Sequence, residues 1–242
     1  MKIKGSVALV TGANRGIGRA FAEELLARGA TKVYAGVRDV ASVTDERLVA
    51  VELDVTDLGQ VTAAAERLGD VEIVVNNAGI GTGSTPLGSD LDRARAELEV
   101  NYLGLVAVTQ AFAPVLAGNG GGAFVNVLSA ASWVALPTLT TYSASQAAAW
   151  SYSNAARIEL AQSGTEVVGV HVGFVDTDLT AALPVDKIAP QEVAVSALDA
   201  LEAGRPEAVV DEFSRGVKAN LHDDQHLLYP GIADQYNAAA VG

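Results

Sequence analysis

Val7–Thr11 is a strand-sized apolar run that breaks directly into Thr11-Gly12-Ala13-Asn14-Arg15-Gly16-Ile17-Gly18, and a helical pattern, Ile17–Arg28, begins before the glycines end. Few segments restrict a fold more. Glycines at that junction allow a tight turn, close approach of backbone to a pyrophosphate, and close packing of helix on strand; the helix N-terminus adds N–H donors and the positive end of its dipole. The spacing Gly-x3-Gly-x-Gly differs from the usual Gly-x-Gly-x-x-Gly of dinucleotide sites. Its place between the first strand and the first helix carries the inference. A chain that opens this way is expected to bind a dinucleotide at this turn.

The rest of the chain repeats the theme. Strand-sized runs at Val7–Thr11, Lys32–Ala35, Leu48–Leu53, Val71–Val75, Ala123–Leu128, Glu166–Val172 and Ala208–Val210 alternate with helical patterns at Ile17–Arg28, Gln60–Leu68, Asp90–Val115, Tyr142–Gln162 and Pro190–Ala203. Continuous rather than alternating apolar strands indicate burial on both faces, and helices between them imply parallel crossovers. The expected fold is a doubly wound parallel α/β sheet, Rossmann-like, with helices on both faces. With 242 residues, 50% hydrophobic and 19% charged, and no linker or repeat, one domain over residues 1–242 is expected. Asp211–Gly242 has weaker periodicity and is left unplaced, a candidate to wrap the pocket or a neighbouring subunit. In such sheets ligands sit beyond the carboxyl ends of the strands, which directs attention to the residues after Val10, Ala35, Val75, Leu128 and Val172.

The second strand ends Gly36-Val37-Arg38, with Asp39 one place further on. An acidic residue at the strand end would grip the ribose 2′-hydroxyl of NAD, whereas Arg38 together with Arg15 suits a 2′-phosphate. NADP(H) is therefore the expected cofactor. Asp54, followed by Val55, is placed to accept from the adenine amine, and equally to cap a turn.

Composition excludes several classes. Sixteen Lys and Arg against 29 Asp and Glu give a formal charge of -13, so neither nucleic acid nor an anionic membrane is an expected partner. There are no cysteines, hence no disulfides and no thiolate chemistry. His222 and His226 are spaced i,i+4 but form no metal motif, and no metal is expected. The opening Met-Lys-Ile-Lys-Gly-Ser before Val7–Val10 carries no export signal, and Leu103–Leu116 is too short to span a bilayer. A cytoplasmic protein is the expectation.

Further pieces fall after successive strands: Asn76-Asn77-Ala78-Gly79, Asn101 in the long helical pattern, Ser129, Tyr142, and Gly173-Phe174-Val175-Asp176-Thr177. With Thr11–Gly18 they resemble, in order and spacing, the short-chain dehydrogenase/reductase family from Val7 to about Asp211. That resemblance implies an oxidoreductase in which Ser129 orients the substrate oxygen, Tyr142 transfers the proton and Asn101 carries a water relay. It also implies that Asn77, Ala78, Gly79, Gly173, Val175 and Thr177 join Gly12, Asn14, Arg15, Gly16, Ile17, Gly18, Arg38, Asp54 and Val55 around the cofactor. Residue chemistry agrees, because hydride transfer to a carbonyl builds alkoxide charge that needs a positioned donor and a proton source. Asn101 also fits a buried amide that satisfies backbone groups.

The chain departs from that family at one place. Where the family has Tyr-x-x-x-Lys, this sequence reads Tyr142-Ser143-Ala144-Ser145-Gln146. Gln146 can hydrogen-bond a ribose hydroxyl but carries no charge. A cation about 4 Å from a phenolate is worth about 4 kcal/mol at an effective dielectric of 20, roughly three pKa units, so Tyr142 is expected to titrate nearer an ordinary tyrosine. Oxidation needs tyrosinate and reduction needs the neutral phenol, so the expected activity is a reductase with little reverse reaction. Three other readings stay open: a disabled or redirected enzyme, an imine reductase whose substrate arrives protonated, and a regulator or sensor that binds NADP(H) without catalysis. Val172, where the family often has proline, loosens that turn only slightly.

Ile80–Leu87, Ala130–Leu136 with Trp133, and a covering segment at residues 173–190 form the expected walls for an uncharged, partly aromatic or alicyclic ketone or imine, although ordinary loop packing would look similar. Lys187 is the cation of that segment, which keeps a carboxylate-bearing substrate open. Ala-rich faces of Asp90–Leu116 and Ser143–Ala161 resemble the helices through which relatives assemble, and imply a homodimer or homotetramer.

Overall fold

The computed structural model describes residues 1–222. Its elements are β1 (Val7–Thr11), α1 (Gly16–Ala27), β2 (Lys32–Val37), β3 (Val49–Glu52), α2 (Leu58–Arg67), β4 (Ile73–Asn76), α3 (Leu91–Leu98), α4 (Leu105–Gly118), β5 (Gly122–Val127), α5 (Thr140–Leu160), β6 (Thr165–His171), α6 (Pro190–Glu202), β7 (Glu207–Val209) and α7 (Glu212–Ala219). The seven strands form one sheet in the order β3-β2-β1-β4-β5-β6-β7, and every adjacent pair is parallel. The expected single-domain, doubly wound sheet is what the described residues form.

Alternation along each strand feeds two cores. Val10, Ala35, Val75 and Val125 face Phe21 and Leu25 of α1 and Leu198 and Leu201 of α6. Leu9, Tyr34, Val74 and Phe124 face Val61 of α2 and Val108, Phe112 and Leu116 of α4. Burial of both faces explains the unbroken apolar runs. β3 differs: it is an edge strand, with Val51 buried while Val49, Ala50 and Glu52 are exposed.

The pattern Asp90–Val115 reads as one helix but is built as two. Between α3 and α4, Glu99–Gly104 winds in wider, π-type turns, a distortion often found at functional sites. The joined run Leu91–Gly118 is long and apolar enough to cross a membrane by length and composition, more than Leu103–Leu116 alone suggests. It lies against the sheet instead, with Val108, Phe112 and Leu116 inaccessible to solvent.

A buried polar chain fixes α5 on the sheet. Asn76 Nδ2 donates to Asn126 Oδ1 at 2.9 Å, Asn126 Nδ2 to Ser153 Oγ at 2.8 Å, and Ser153 to the Ala149 carbonyl at 2.7 Å. With every member satisfied, such a network holds a unique geometry. It sets the position of the helix that carries Tyr142.

Candidate active site

Sheet order reverses at β1, which has β2 on one side and β4 on the other. The turns after β1 and β4 therefore diverge and open a crevice. Thr11 closes its floor: its hydroxyl donates to the Val75 carbonyl at 3.3 Å and accepts from the N–H groups of Asn77 and Ala78 at 2.9 and 3.0 Å.

Two glycines show why the turn excludes side chains. Gly12 has φ +66°, and a Cβ on Gly18 would stand 2.2 Å from the Gly12 carbonyl and 2.5 Å from Asn77 Nδ2. The Asn77 Nδ2 is spent on this turn, donating to the Thr11 and Gly12 carbonyls at 2.9 and 3.3 Å. Arg15 sits at the N-cap of α1 without a side-chain capping bond, which leaves first-turn N–H groups to meet an anion. This cradle fits a dinucleotide pyrophosphate.

The cleft has a volume of about 1410 Å³ and runs from the glycine turn across the carboxyl ends of the strands. Gly12, Asn14, Arg15, Gly16, Ile17 and Gly18 line one end with Arg38, Asp54 and Val55; Asn77, Ala78, Gly79 and Asn101 line the middle. Ser129, Tyr142, Gln146, Gly173 and Val175 line the other end, and Thr177 reaches back to Gly16. The sequence-predicted site residues thus share one cavity.

Arg38 reaches the cleft from the end of β2 and acts on Asp54 by its charge. Partial burial opposes ionisation of Asp54, but the N–H and hydroxyl of Thr56 and the Arg38 charge outweigh it and hold the carboxyl below its usual range. Both Thr56 bonds fall on Asp54 Oδ1, at 3.0 and 2.7 Å. Arg15 pairs with Asp178 of the covering segment at 2.7 Å, both well exposed. An exposed pair of this kind is weak enough for a phosphate to displace.

At the reacting end, Ser129 Oγ donates to the Val172 carbonyl at 3.3 Å and accepts from the Ala131 N–H at 3.1 Å. The same hydroxyl is close enough to the Tyr142 phenol to act on its ionisation. Burial pushes Tyr142 above an ordinary tyrosine; the Ser129 hydroxyl pulls it down and the Glu97 charge raises it further. Loss of a cation was expected to return Tyr142 to its usual value. It lies higher because partial burial of the phenol disfavours its charged form, and the Glu97 charge adds to this.

Gln146 is 6% exposed and its Oε1 is buried without a hydrogen-bond partner. An unpartnered buried acceptor lining a cleft is a position a ligand hydroxyl would satisfy. Asn101 is different. Its Oδ1 accepts from the Ile80 N–H at 2.8 Å, and its Nδ2 donates to the Ile80 carbonyl and to Ser145 Oγ, both at 2.9 Å. Both amide protons are committed to protein, so the side chain pins the loop after β4 to α5.

Several residues depart from expectation. Trp133 does not wall the cleft; it stacks on buried His171 at 3.7 Å and 17°, whose Nδ1 lies 3.1 Å from Ser132 Oγ. Lys187 is likewise off the cleft wall, its Nζ near the Ala181 carbonyl at 3.5 Å. The region from Asp211 begins as part of the site. Asp211 accepts from the Gly173 N–H at 2.6 Å and Phe213 lines the cleft. Val175 and Ile188 form a short parallel bridge across the covering segment, and the Thr177 methyl packs on Gly16. Among the described residues no group of His, Cys, Asp and Glu is arranged to hold a metal; His226 and the rest of the tail lie outside them.

The family model for short chain dehydrogenase matches residues 6–187. The chain belongs to the short chain dehydrogenase family. As a member it is an oxidoreductase. A short chain dehydrogenase from Burkholderia cenocepacia, solved in complex with NADP, is 42% identical over 96% of this chain and 99% of its own, with a TM-score of 0.92. A 3-ketoacyl-(acyl-carrier-protein) reductase from Brucella melitensis, complexed with NADH, is 28% identical over 82% of this chain and 91% of its own, with a TM-score of 0.76. An uncharacterized oxidoreductase of Staphylococcus aureus is 33% identical over 208 residues, covering 81% of this chain and 90% of the relative.

Proposed function

We propose that this short chain dehydrogenase is an NADP(H)-dependent reductase of an uncharged, largely apolar ketone or imine. The observation that carries the reading is the meeting of Ser129 and Tyr142 in the same cleft as the glycine cradle, Arg15 and Arg38. NADPH bound there supplies the hydride to the substrate carbon. Ser129 orients the developing oxyanion, and Tyr142 gives its phenolic proton to the substrate oxygen or nitrogen, regaining one from solvent afterwards. The raised Tyr142 pKa favours this direction, since a neutral phenol is the form reduction consumes.

Arg15 and Arg38 hold the 2′-phosphate, and Gln146 offers its orphaned Oε1 to a hydroxyl of the nicotinamide ribose. Ile80, Leu136, Leu139, Leu179, Leu183 and Phe213 supply the apolar walls. Assembly as a homodimer or homotetramer belongs to the same reading, supported by exposed Leu98, Leu103 and Ile158 along α3 to α5. The uncharged Gln146 favours one second reading, a regulator that binds NADP(H) without turnover.

The test is loss of the reduced-nicotinamide absorbance with a panel of ketones and cyclic imines, beside titrations of NADPH and NADH. Turnover of panel members with tighter binding of NADPH is expected. Binding without turnover across the panel would establish the regulator instead, and tighter binding of NADH would remove the role given to Arg15 and Arg38.

A further inference from the structure

Glu97 is a carboxylate that the proposed chemistry does not use, and it has no accessible surface. Its Oε1 accepts from the Thr82 N–H at 2.7 Å and the Thr82 hydroxyl at 2.9 Å; its Oε2 accepts from the Thr141 hydroxyl at 2.5 Å. All three donors are neutral. Burying a charge without a cation is costly, and these donors lie on the two segments that shape the reacting end.

Thr82 belongs to the loop after β4, and Thr141 precedes Tyr142 in the first turn of α5. Ser84 joins the same junction, with its Oγ 2.8 Å from the Thr141 hydroxyl and accepting from the Thr141 N–H at 3.1 Å. Ser84 N–H donates to the Thr138 carbonyl at 3.0 Å and its carbonyl accepts from the Thr140 N–H at 3.3 Å. The carboxylate of α3 therefore bolts the loop to the helix start that aims the phenol. The side chains that act on the ionisation of the Tyr142 phenol are Ser129 from the turn after β5 and Glu97 from α3. Of these only Glu97 bears a charge.

We infer that Glu97 is a positioning residue for Tyr142, and that its negative charge keeps the phenol in the proton-donating form and so biases the site toward reduction. The inference rests on the reductase reading for its consequence, but not for its electrostatics. At an effective dielectric of about 20, a unit charge elsewhere in the same site changes a proton equilibrium by about tenfold. Removing the charge should favour tyrosinate by that order.

The experiment compares wild type, Glu97→Gln and Thr141→Val. Tyrosinate absorbance is titrated against a Tyr142→Phe reference, and the ratio of NADP+-dependent oxidation to NADPH-dependent reduction is measured against pH. Glu97→Gln should move the Tyr142 titration to lower pH and raise the oxidation-to-reduction ratio at neutral pH by about tenfold. Thr141→Val keeps the charge, so it should lower kcat while the titration does not move down. An unmoved titration in folded Glu97→Gln overturns the inference, as does a downward move in Thr141→Val, which stays informative should Glu97→Gln fail to fold. The titration needs no turnover. Failure of the reductase reading would leave the titration shift intact without activity, whereas failure of this inference would leave activity without the shift.

Discussion

Replacing Gln146 with lysine probes the electrostatics of the site most deeply. Gln146 follows Tyr142 by four residues on α5, so the two side chains share one helical face, and both line the cleft. An ammonium about 6 Å from the phenolate would gain about 3 kcal/mol at an effective dielectric of 20. Part of that is lost because position 146 is 6% exposed, and an ammonium loses hydration there. A net one to two powers of ten in the tyrosinate fraction near neutral pH remains, roughly 1.4 to 2.8 kcal/mol. In Gln146→Lys, NADP+-dependent alcohol oxidation at pH 7 should rise about ten- to a hundredfold, and its pH profile should move toward lower pH. Reduction of the matching ketone should change far less, because its proton donor is abundant in both proteins. A folded variant that binds NADP+ yet oxidises no faster than wild type would refute the electrostatic reasoning. A rise for ketones alone, with imines unaffected, would mark the glutamine as disabling; equal effects on both would point to an enzyme suited to its glutamine.

Other expectations follow from named contacts. Gly18→Ala forces a Cβ to 2.2 Å from the Gly12 carbonyl; it should cost about 1–3 kcal/mol in denaturant unfolding and weaken NADPH binding, whereas Gly118→Ala, with nothing within 4 Å, should do neither. Arg38→Ala should weaken NADPH by about tenfold or more through loss of a charge-assisted bond while leaving NADH little changed, as read by fluorescence titration. His171 is held down to about 4, chiefly by burial, with Glu207 opposing. The unfolded chain therefore binds more protons between about pH 6.5 and 4, and stability should fall by about 3 kcal/mol as pH drops through that window. Unfolding curves of wild type and His171→Asn across it check this, since the variant should lose the slope.

The fold was legible because its physics is repetitive. The inner strands are buried on both faces, so Val7–Thr11 and Ala123–Leu128 announce themselves by composition; the edge strand β3 falls within the expected run Leu48–Leu53 although Val51 is its one buried residue. The wide turns at Glu99–Gly104 were not legible, since helical periodicity survives across them. The site residues at strand ends were readable from order and spacing, whereas residues acting across the fold were not. Asp211 and Phe213 reach Gly173 and the cleft from nearly forty positions away, a separation that local pattern cannot express. Glu97 left a faint signal: it stands four places before Asn101 and eight before Leu105, on the buried stripe that leads to Val108 and Phe112, where an acidic residue is out of character. Trp133 misled for the converse reason. Its neighbours in sequence line the cleft, but the ring turns away to cover His171.

Proton delivery by Tyr142 is measured most directly by single-turnover consumption of NADPH with a ketone substrate, wild type beside Tyr142→Phe. The expected result is a fall of about 10²–10⁴ in the rate with NADPH affinity unchanged. Turnover of the phenylalanine variant at the wild-type rate would contradict it.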